Sequence, residues 1–395
     1  MTALNGQDIA IVGAGIGGLA AAIALAQKGA KVRVFEQAEA LGEVGAGLQI
    51  SANGVAVLQA LGLGAAAAKL ANTPEAVVLR DYRGAVVSRL PMGATARARY
   101  GRPYWQFHRA DLLEVLQKGA VDAGVALVFD HQITTVAQEG GAVSFGFRNG
   151  ATHKSACLIG ADGVRSTLRG LAFGGQAARF TGQVAWRGLV AAERLPKGLF
   201  ENAAQVFMGK GRHLVAYPLR GGSLINFVAV EERQGWADEG WHLPDSAENL
   251  RAAFKDFAPP VQALLGAVEQ IFLWGLFNHP VLPHWAKGRI GLLGDACHPM
   301  LPFLAQGAVM GLEDAYVLAE ALDTAGIEAG LKAYEQARKA RATKVQQGAA
   351  RNAWSYHLRT PVFRGAAHRL LGLVPSKALL AQFDWLYGHD VTATR

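Results

Sequence analysis

The sequence predicts an α/β chain in which a Rossmann-like dinucleotide-binding domain carries an inserted, mainly β domain and is followed by a helical C-terminal region. Three observations carry this expectation. A glycine-rich turn joins a strand pattern to an Ala/Leu helix near the N-terminus, two stretches of short alternating segments interrupt the α/β pattern, and helical spacing dominates from Gly326 onward.

The opening DIAIVGAGIGGLAAAIALAQKGAKVRVFEQ reads as strand, turn, helix and a second, parallel strand. Gly13, Gly15 and Gly18 spell GxGxxG in the turn, and Glu36 ends the second strand 18 residues later. The first glycine permits a tight turn, the second lets the backbone approach a pyrophosphate, and the third lets helix and strand pack. The helix N-terminus then faces phosphate charge, and Glu36 accepts hydrogen bonds from the adenosine ribose. This fingerprint alone does not separate FAD from NAD.

After Thr73, AVVLRDYRG and AVVSRL read as a hairpin turning at Arg83 and Gly84. Helical spacing returns in ADLLEVLQKGAVDAG, followed by strands near 126–129, 143–147 and 156–159. From 180 to 274 the chain reads as strands again, QVAWRGLVAA, RHLVAYPLRGG and SLINFVAVEE, with one helix near 247–257. The dinucleotide-binding domain is therefore expected at 1–72, 103–178 and 276–325, the substrate domain at 73–102 and 179–275, and the helical region at 326–395, capping both.

Composition narrows the function classes. In 395 residues, 51% hydrophobic and 18% charged argue against disorder and coiled coil. The 48 glycines cluster at turns, as backbones that approach a ligand would require. The formal charge of +8 is scattered; its densest run, Arg338, Lys339, Arg341, Lys344 and Arg351, has helical spacing and reads as a solvated face, so no nucleic-acid partner is expected. The apolar stretch 9–26 is broken by the glycine turn, which argues against a membrane segment. Cys157 and Cys297 form neither a CxxC nor a Cys/His ligand pattern, so no disulfide and no metal is expected, and a reducing cytoplasm is the simplest setting. His298 in DACHP reads as a turn residue without partner ligands at metal spacing, and the tryptophans, Trp186 and Trp274 among them, as core.

Two later segments follow strands: IGADGVRSTLRG, with Asp162 and Gly163, and IGLLGDACHPMLPFLAQGA, with Gly294 and Asp295. With these in order after the fingerprint, the sequence resembles, along nearly its whole length, the single-component FAD-dependent aromatic hydroxylases, the group A flavoprotein monooxygenases related to 4-hydroxybenzoate and salicylate hydroxylases. The resemblance implies a 4-hydroxybenzoate hydroxylase-like fold, with FAD as cofactor and NADH or NADPH as a transient reductant. It implies that the fingerprint holds the ADP half of FAD, that Asp162 lies near both cofactors, that Asp295 holds the ribityl chain, and that Arg109, which opens R-x-D-L-L, lies near the flavin. Gln49 in GAGLQISAN and Pro302 are assigned to the cofactor site on the same ground. Gly307, Ala308 and Val309 begin a helix whose first amides can point at the flavin and stabilise negative charge there. A single GxGxxG fits a nicotinamide cofactor that visits and leaves.

His213 and Tyr217 stand four apart on the strand-like RHLVAYPL, so alternation places them on one face. On residue type alone, packing is the commoner role for such a pair. The resemblance, here to 3-hydroxybenzoate 6-hydroxylase and 6-hydroxynicotinate 3-monooxygenase, implies that they engage the ring hydroxyl and assist its deprotonation. A phenolate captures the electrophilic oxygen of a flavin C4a-hydroperoxide better than a phenol does, and a histidine with an ordinary pKa near 6.5 can accept the proton. Where hydroxynicotinate enzymes carry histidine, this chain has Gln49 and, after Pro302, Phe303; where 3-hydroxybenzoate enzymes prefer glutamine near 302, it has proline. The less basic pocket favours a carbocyclic phenolic acid, 3-hydroxybenzoate-like, over a pyridine. Decarboxylating salicylate hydroxylation, hydroxypyridine hydroxylation and a flavin oxidase or reductase activity stay open as alternatives. The expected partners are a small aromatic substrate, O2 and NAD(P)H, with the chain a monomer or homodimer.

Overall fold

In the computed structural model, which describes residues 3–42, 46–175, 177–233, 243–269 and 271–393, the strand Asp8–Val12 lies inside a six-stranded sheet. Lys31–Phe35 and Cys157–Gly160 pair with it in parallel, one on each edge. Ile9 to Val12 are all buried, as strands covered on both faces must be. Ala126–Val128 extends the sheet on one side, and Ile290–Leu292 on the other.

The helix Ile16–Gln27 buries nine residues, five of them alanine or glycine. Small side chains let it approach the helix Gly307–Ala325 closely: a Cβ on Gly311 would stand 3.5 Å from the Gly17 Cα. Gly17 lies in the first turn of one helix and Gly311 in the second turn of the other, so the crossing brings their N-termini side by side.

The two strand-rich stretches share one eight-stranded sheet, because Ala76–Asp81 pairs in parallel with Ala203–Gly209. The hairpin expected at Arg83 and Gly84 forms, with Ala76–Asp81 antiparallel to Val86–Pro91 and Gly84 at φ +100°. Alternation sends Phe207, Leu214, Ala216 and Phe227 into a core beneath Ala247–Ala253 and Pro259–Gly266. The single helix expected near 247–257 is thus two, the second starting at the Pro259–Pro260 pair, which is pre-set for a helix start. On the opposite face of the sheet lie His213, Val215 and Tyr217. A ribbon not foreseen in the sequence, Gly47–Ile50 against Trp105–His108, meets this face: the Gly47 N–H donates to Asn226 Oδ1 at 2.6 Å. Asp111 adds an ion pair, accepting from Arg220 Nη2 at 2.6 Å.

The 30-residue helix Ile327–Tyr356 packs along Gly307–Ala325, and its Ala349 and Ala353 join a small cluster with Phe303 and with Ala185 and Val230 on the His213 face of the eight-stranded sheet. Part of the basic run expected to be solvated is instead inside. Arg338 is 1% exposed and pairs with Glu313 and Asp314, each at 2.7 Å, while Arg341 donates to Glu313 at 2.7 Å. The acidic pair on the facing helix turns this face inward. Asp314 also accepts from the Gly294 N–H at 3.1 Å and meets His298 Nε2 at 2.5 Å. Burial alone would raise the Asp314 pKa, but His298 and Arg338 outweigh it and hold the carboxyl at about 2. Among the described residues no helix is long and apolar enough to cross a membrane.

Arg338→Met should lower the unfolding free energy by about 3–5 kcal/mol, because it removes the cation shared by two buried carboxylates. Urea denaturation measures this, and a loss under about 1 kcal/mol would show that the cluster is dispensable.

Candidate active site

The glycine turn is built from two closed positions and one open one. A Cβ on Gly13, which has φ +103°, would lie 2.4 Å from the Ala161 carbonyl oxygen, and one on Gly18 would lie 2.0 Å from the Gly13 oxygen. At Gly15 an added Cβ would meet nothing within 4 Å, so bare backbone faces open space at the helix N-terminus. Glu36 braces the turn: Oε2 accepts from the Ala14 N–H at 2.8 Å and Oε1 from the Ala38 N–H at 3.0 Å.

Asp162 and Asp295 follow neighbouring strands but have different surroundings. Asp162 is tied into the start of the helix Thr167–Phe173, accepting from Ser166 Oγ at 2.5 Å and from the Leu168 N–H at 3.1 Å, and burial raises its pKa. Asp295 sits in the short turn Gly294–Ala296, deep enough that burial raises its pKa, yet its side chain is exposed to the cleft. Its Oδ1 lies 3.9 Å from where a Gly307 Cβ would stand, at the start of the helix Gly307–Ala325. Pro302 begins the turn Pro302–Leu304, and Ala305, at φ +52°, redirects the chain into that helix. Gln306 gives its amide to Ser51 Oγ at 2.9 Å and does not cap the helix, so the first amides, at Gly307, Ala308 and Val309, meet no capping side chain. Val309 itself is fully buried, packed toward Gly54. Arg109 is exposed at the start of Arg109–Asp122, and its charge reaches both Asp295 and Arg187.

These residues fit FAD. An open glycine backbone, two adjoining helix N-termini and a cleft-facing carboxylate between them suit an anionic dinucleotide whose far end carries hydroxyl and ring groups. Gln49 accepts from the Tyr104 hydroxyl and hydrogen-bonds Tyr217.

His213 and Tyr217 share a face, as their spacing requires, but they serve different neighbourhoods. Four strand residues separate them by roughly 13 Å, and among the described residues no hydrogen bond or ring contact joins them. His213 is 2% exposed, enclosed by Phe303, Tyr356 and His357. Its Nδ1 lies 2.6 Å from His357 Nε2, and His357 Nδ1 lies 3.1 Å from Glu232 Oε1, which also pairs with Arg359 through its other oxygen. Glu232 favours the tautomer in which His357 donates from Nδ1 and accepts at Nε2 from His213 Nδ1, leaving His213 Nε2 unprotonated; the Gln183 side-chain amide lies 3.2 Å from the same His357 Nδ1. Burial, with His357 adding to it, pushes the His213 pKa well below the ordinary histidine value. Burial likewise raises the Tyr217 hydroxyl well above the usual tyrosine value, although Gln49 and Arg187 pull the other way.

Sequence reasoning missed His357, Glu232, Arg187 and Asn226. Only Arg187 left a signal, a charged residue alternating with Ala185 and Leu189 in the apolar run VAWRGLVA. It also missed that the fold brings Asp314 to His298 and Cys297, so that the three ligand-type atoms lie within 4.8 Å of one another. His298 and Asp314 are spent on each other, and Cys297 Sγ contacts the Gly294 oxygen at 3.3 Å.

The chain matches the FAD binding domain family over residues 7–349. It is 36% identical to 3-amino-4-hydroxybenzoate 2-monooxygenase from Streptomyces platensis, over 97% of this chain and 96% of that one. It is also 36% identical to 3-hydroxybenzoate 6-hydroxylase from Polaromonas naphthalenivorans, with the same coverage of 97% and 96%. The structure of Klebsiella pneumoniae HpxO complexed with FAD and uric acid superposes with a TM-score of 0.84 at 27% identity, covering 95% of each chain. Gly15→Val is expected to fold, since a Cβ there meets no atom within 4 Å, but to lose its flavin; a variant that purifies with a full complement of FAD by absorbance would refute that role for Gly15. A family match over most of the chain, joined to relatives this similar along nearly their whole length, leaves one assignment: the chain belongs to the FAD-binding family of aromatic-ring monooxygenases.

Proposed function

We propose that this chain hydroxylates a small phenolic aromatic acid of the 3-hydroxybenzoate kind, with NADH or NADPH as reductant and O2 as oxygen source. The observation that carries the reading is His213, a buried, neutral imidazole on the floor of the substrate-side sheet whose Nε2 lone pair is left available by the His357–Glu232 pair. Relatives named for hydroxybenzoate substrates support the substrate class.

FAD, when bound, supplies the electron transfer and oxygen activation. The residues that would hold it are the Gly13, Gly15 and Gly18 turn and Glu36 for the ADP half, Asp295 for the sugar-alcohol chain and the amides at Gly307 to Val309 for the ring, with Arg109, Asp162 and Pro302 nearby. His213 Nε2 takes the phenolic proton as the ring becomes nucleophilic. Tyr217 stays protonated and donates a hydrogen bond from the other end of the face. Phe303 and Tyr356 keep water from the His213 end.

A panel of hydroxybenzoates, salicylate and hydroxypyridines, with NADH oxidation compared to product formed, tests the substrate class; stimulated oxidation without any hydroxylated product rejects the reading. His213→Ala should keep its FAD and continue to oxidise NADH while product formation falls about 10²–10⁴-fold. Because the His213 pKa is depressed, its neutral form persists as pH drops through 6.5. Product formation limited by this base is therefore flat there and falls only at distinctly lower pH; a decline centred near 6.5 would contradict the role.

A further inference from the structure

The strand Arg179–Ala191 turns Ala185, Arg187 and Leu189 toward the cleft, on the face that carries His213 and Tyr217. The enclosed guanidiniums of Arg338 and Arg341 have carboxylate partners. Among the described residues Arg187 has none: its Nε is shielded from solvent without a hydrogen-bond partner, and its guanidinium rests on the Trp274 ring at 4.4 Å. Burial lowers its pKa to about 10, which leaves it charged at neutral pH. A half-buried cation without a counter-charge is unfavourable, and stacking on an indole leaves the in-plane N–H edge free for an anion.

A second orphan donor lies beside it. Asn226 is 0% exposed, its Oδ1 accepts from the Gly47 N–H at 2.6 Å, and its Nδ2 has no partner. Tyr217 pairs with Asn226 across the strands, and a Cβ on Gly47 would lie 2.8 Å from the Tyr217 hydroxyl and 2.9 Å from Asn226 Cγ. Arg187 pairs with Val228, two residues from Asn226 and on the same face. Cation, amide N–H and phenolic O–H thus gather with no carboxylate among them, a donor set suited to a planar carboxylate.

We propose that Arg187, with Asn226 and Tyr217, anchors the carboxylate of the aromatic substrate and makes the enzyme selective for acids over neutral phenols. This rests on the hydroxylase reading above and names the group that the pocket selects. Register places Arg187 two strands from Val215, which stands between His213 and Tyr217, so the anchor lies roughly 10 Å across the sheet. The carboxylate end of the ring sits at Arg187 and Tyr217, and its hydroxyl points toward His213.

Titration of the oxidised holoenzyme, followed by flavin absorbance, compares 3-hydroxybenzoate with 3-hydroxybenzamide, which has the same shape without the charge; salicylate serves as a second acid. The wild type should prefer the acid, and Arg187→Met should weaken acid binding by at least about 30-fold while moving the amide less than about 3-fold. Arg187→Lys should recover part of the acid affinity, with FAD content equal in all three proteins. Equal weakening of acid and amide, or unchanged acid binding in Arg187→Met, overturns the anchor. Failure of the wild type to bind or hydroxylate either acid instead overturns the hydroxylase reading itself, whereas a wild type that hydroxylates the acid beside an indifferent Arg187→Met sinks this inference alone.

Discussion

The contact between Gly17 and Gly311 sets the geometry of the candidate cofactor site. Two helices can cross this closely only where neither carries a side chain, and a Cβ on Gly17 would already press within 2.7 Å of Leu293 Cδ2. The crossing lies within two turns of both N-termini, so the positive ends of two helix dipoles are brought side by side. Gly15 stands at one of these ends, and Gly307, with Asp295 beside it, at the other. A bulky residue at the crossing would separate these two ends, which are proposed to hold the dinucleotide.

The helix bearing Gly311 is held from its other side by charge. Glu313 and Asp314 are fully buried and would be costly alone; Arg338, Arg341, His298 and Asn53 satisfy them. Such a cluster adds little net stability over an apolar core, but it tolerates one arrangement of its partners. Asp314 ties the Gly294 turn to this helix, and Asn53 ties in the helix Ala52–Ala60. The long C-terminal helix thereby becomes part of the cofactor site's framework.

The substrate side follows a different logic, that of a sheet face with polar residues placed among apolar ones. Most of that face is apolar, Ala185, Val228, Val230 and Val215 among its residues. Into it are set His213, whose tautomer is dictated from behind by His357 and Glu232, and the donor group of Arg187, Asn226 and Tyr217. The ribbon Gly47–Ile50 closes one end through Asn226, Tyr217 and Gln49, and the Asp111–Arg220 pair ties the helix Arg109–Asp122 to the turn after Arg212–Leu219.

What the sequence determined by itself is what short-range periodicity can encode. Gly13 and Gly18 are legible because a side chain at either would strike the chain a few residues away or on the next strand, and His213 and Tyr217 share a face because a strand repeats every two residues. What only the tertiary structure decided is who stands opposite. His357 lies 144 residues from His213, and Arg338 read as solvated because helical spacing shows that a face exists without showing what meets it. The 13 Å between His213 and Tyr217, roughly the length of four strand residues, was present in the sequence, yet their separate tasks became visible only once Arg187 and Asn226 arrived from neighbouring strands. Pairing across strands and between helices depends on long-range packing, and one chain's local pattern carries no record of it.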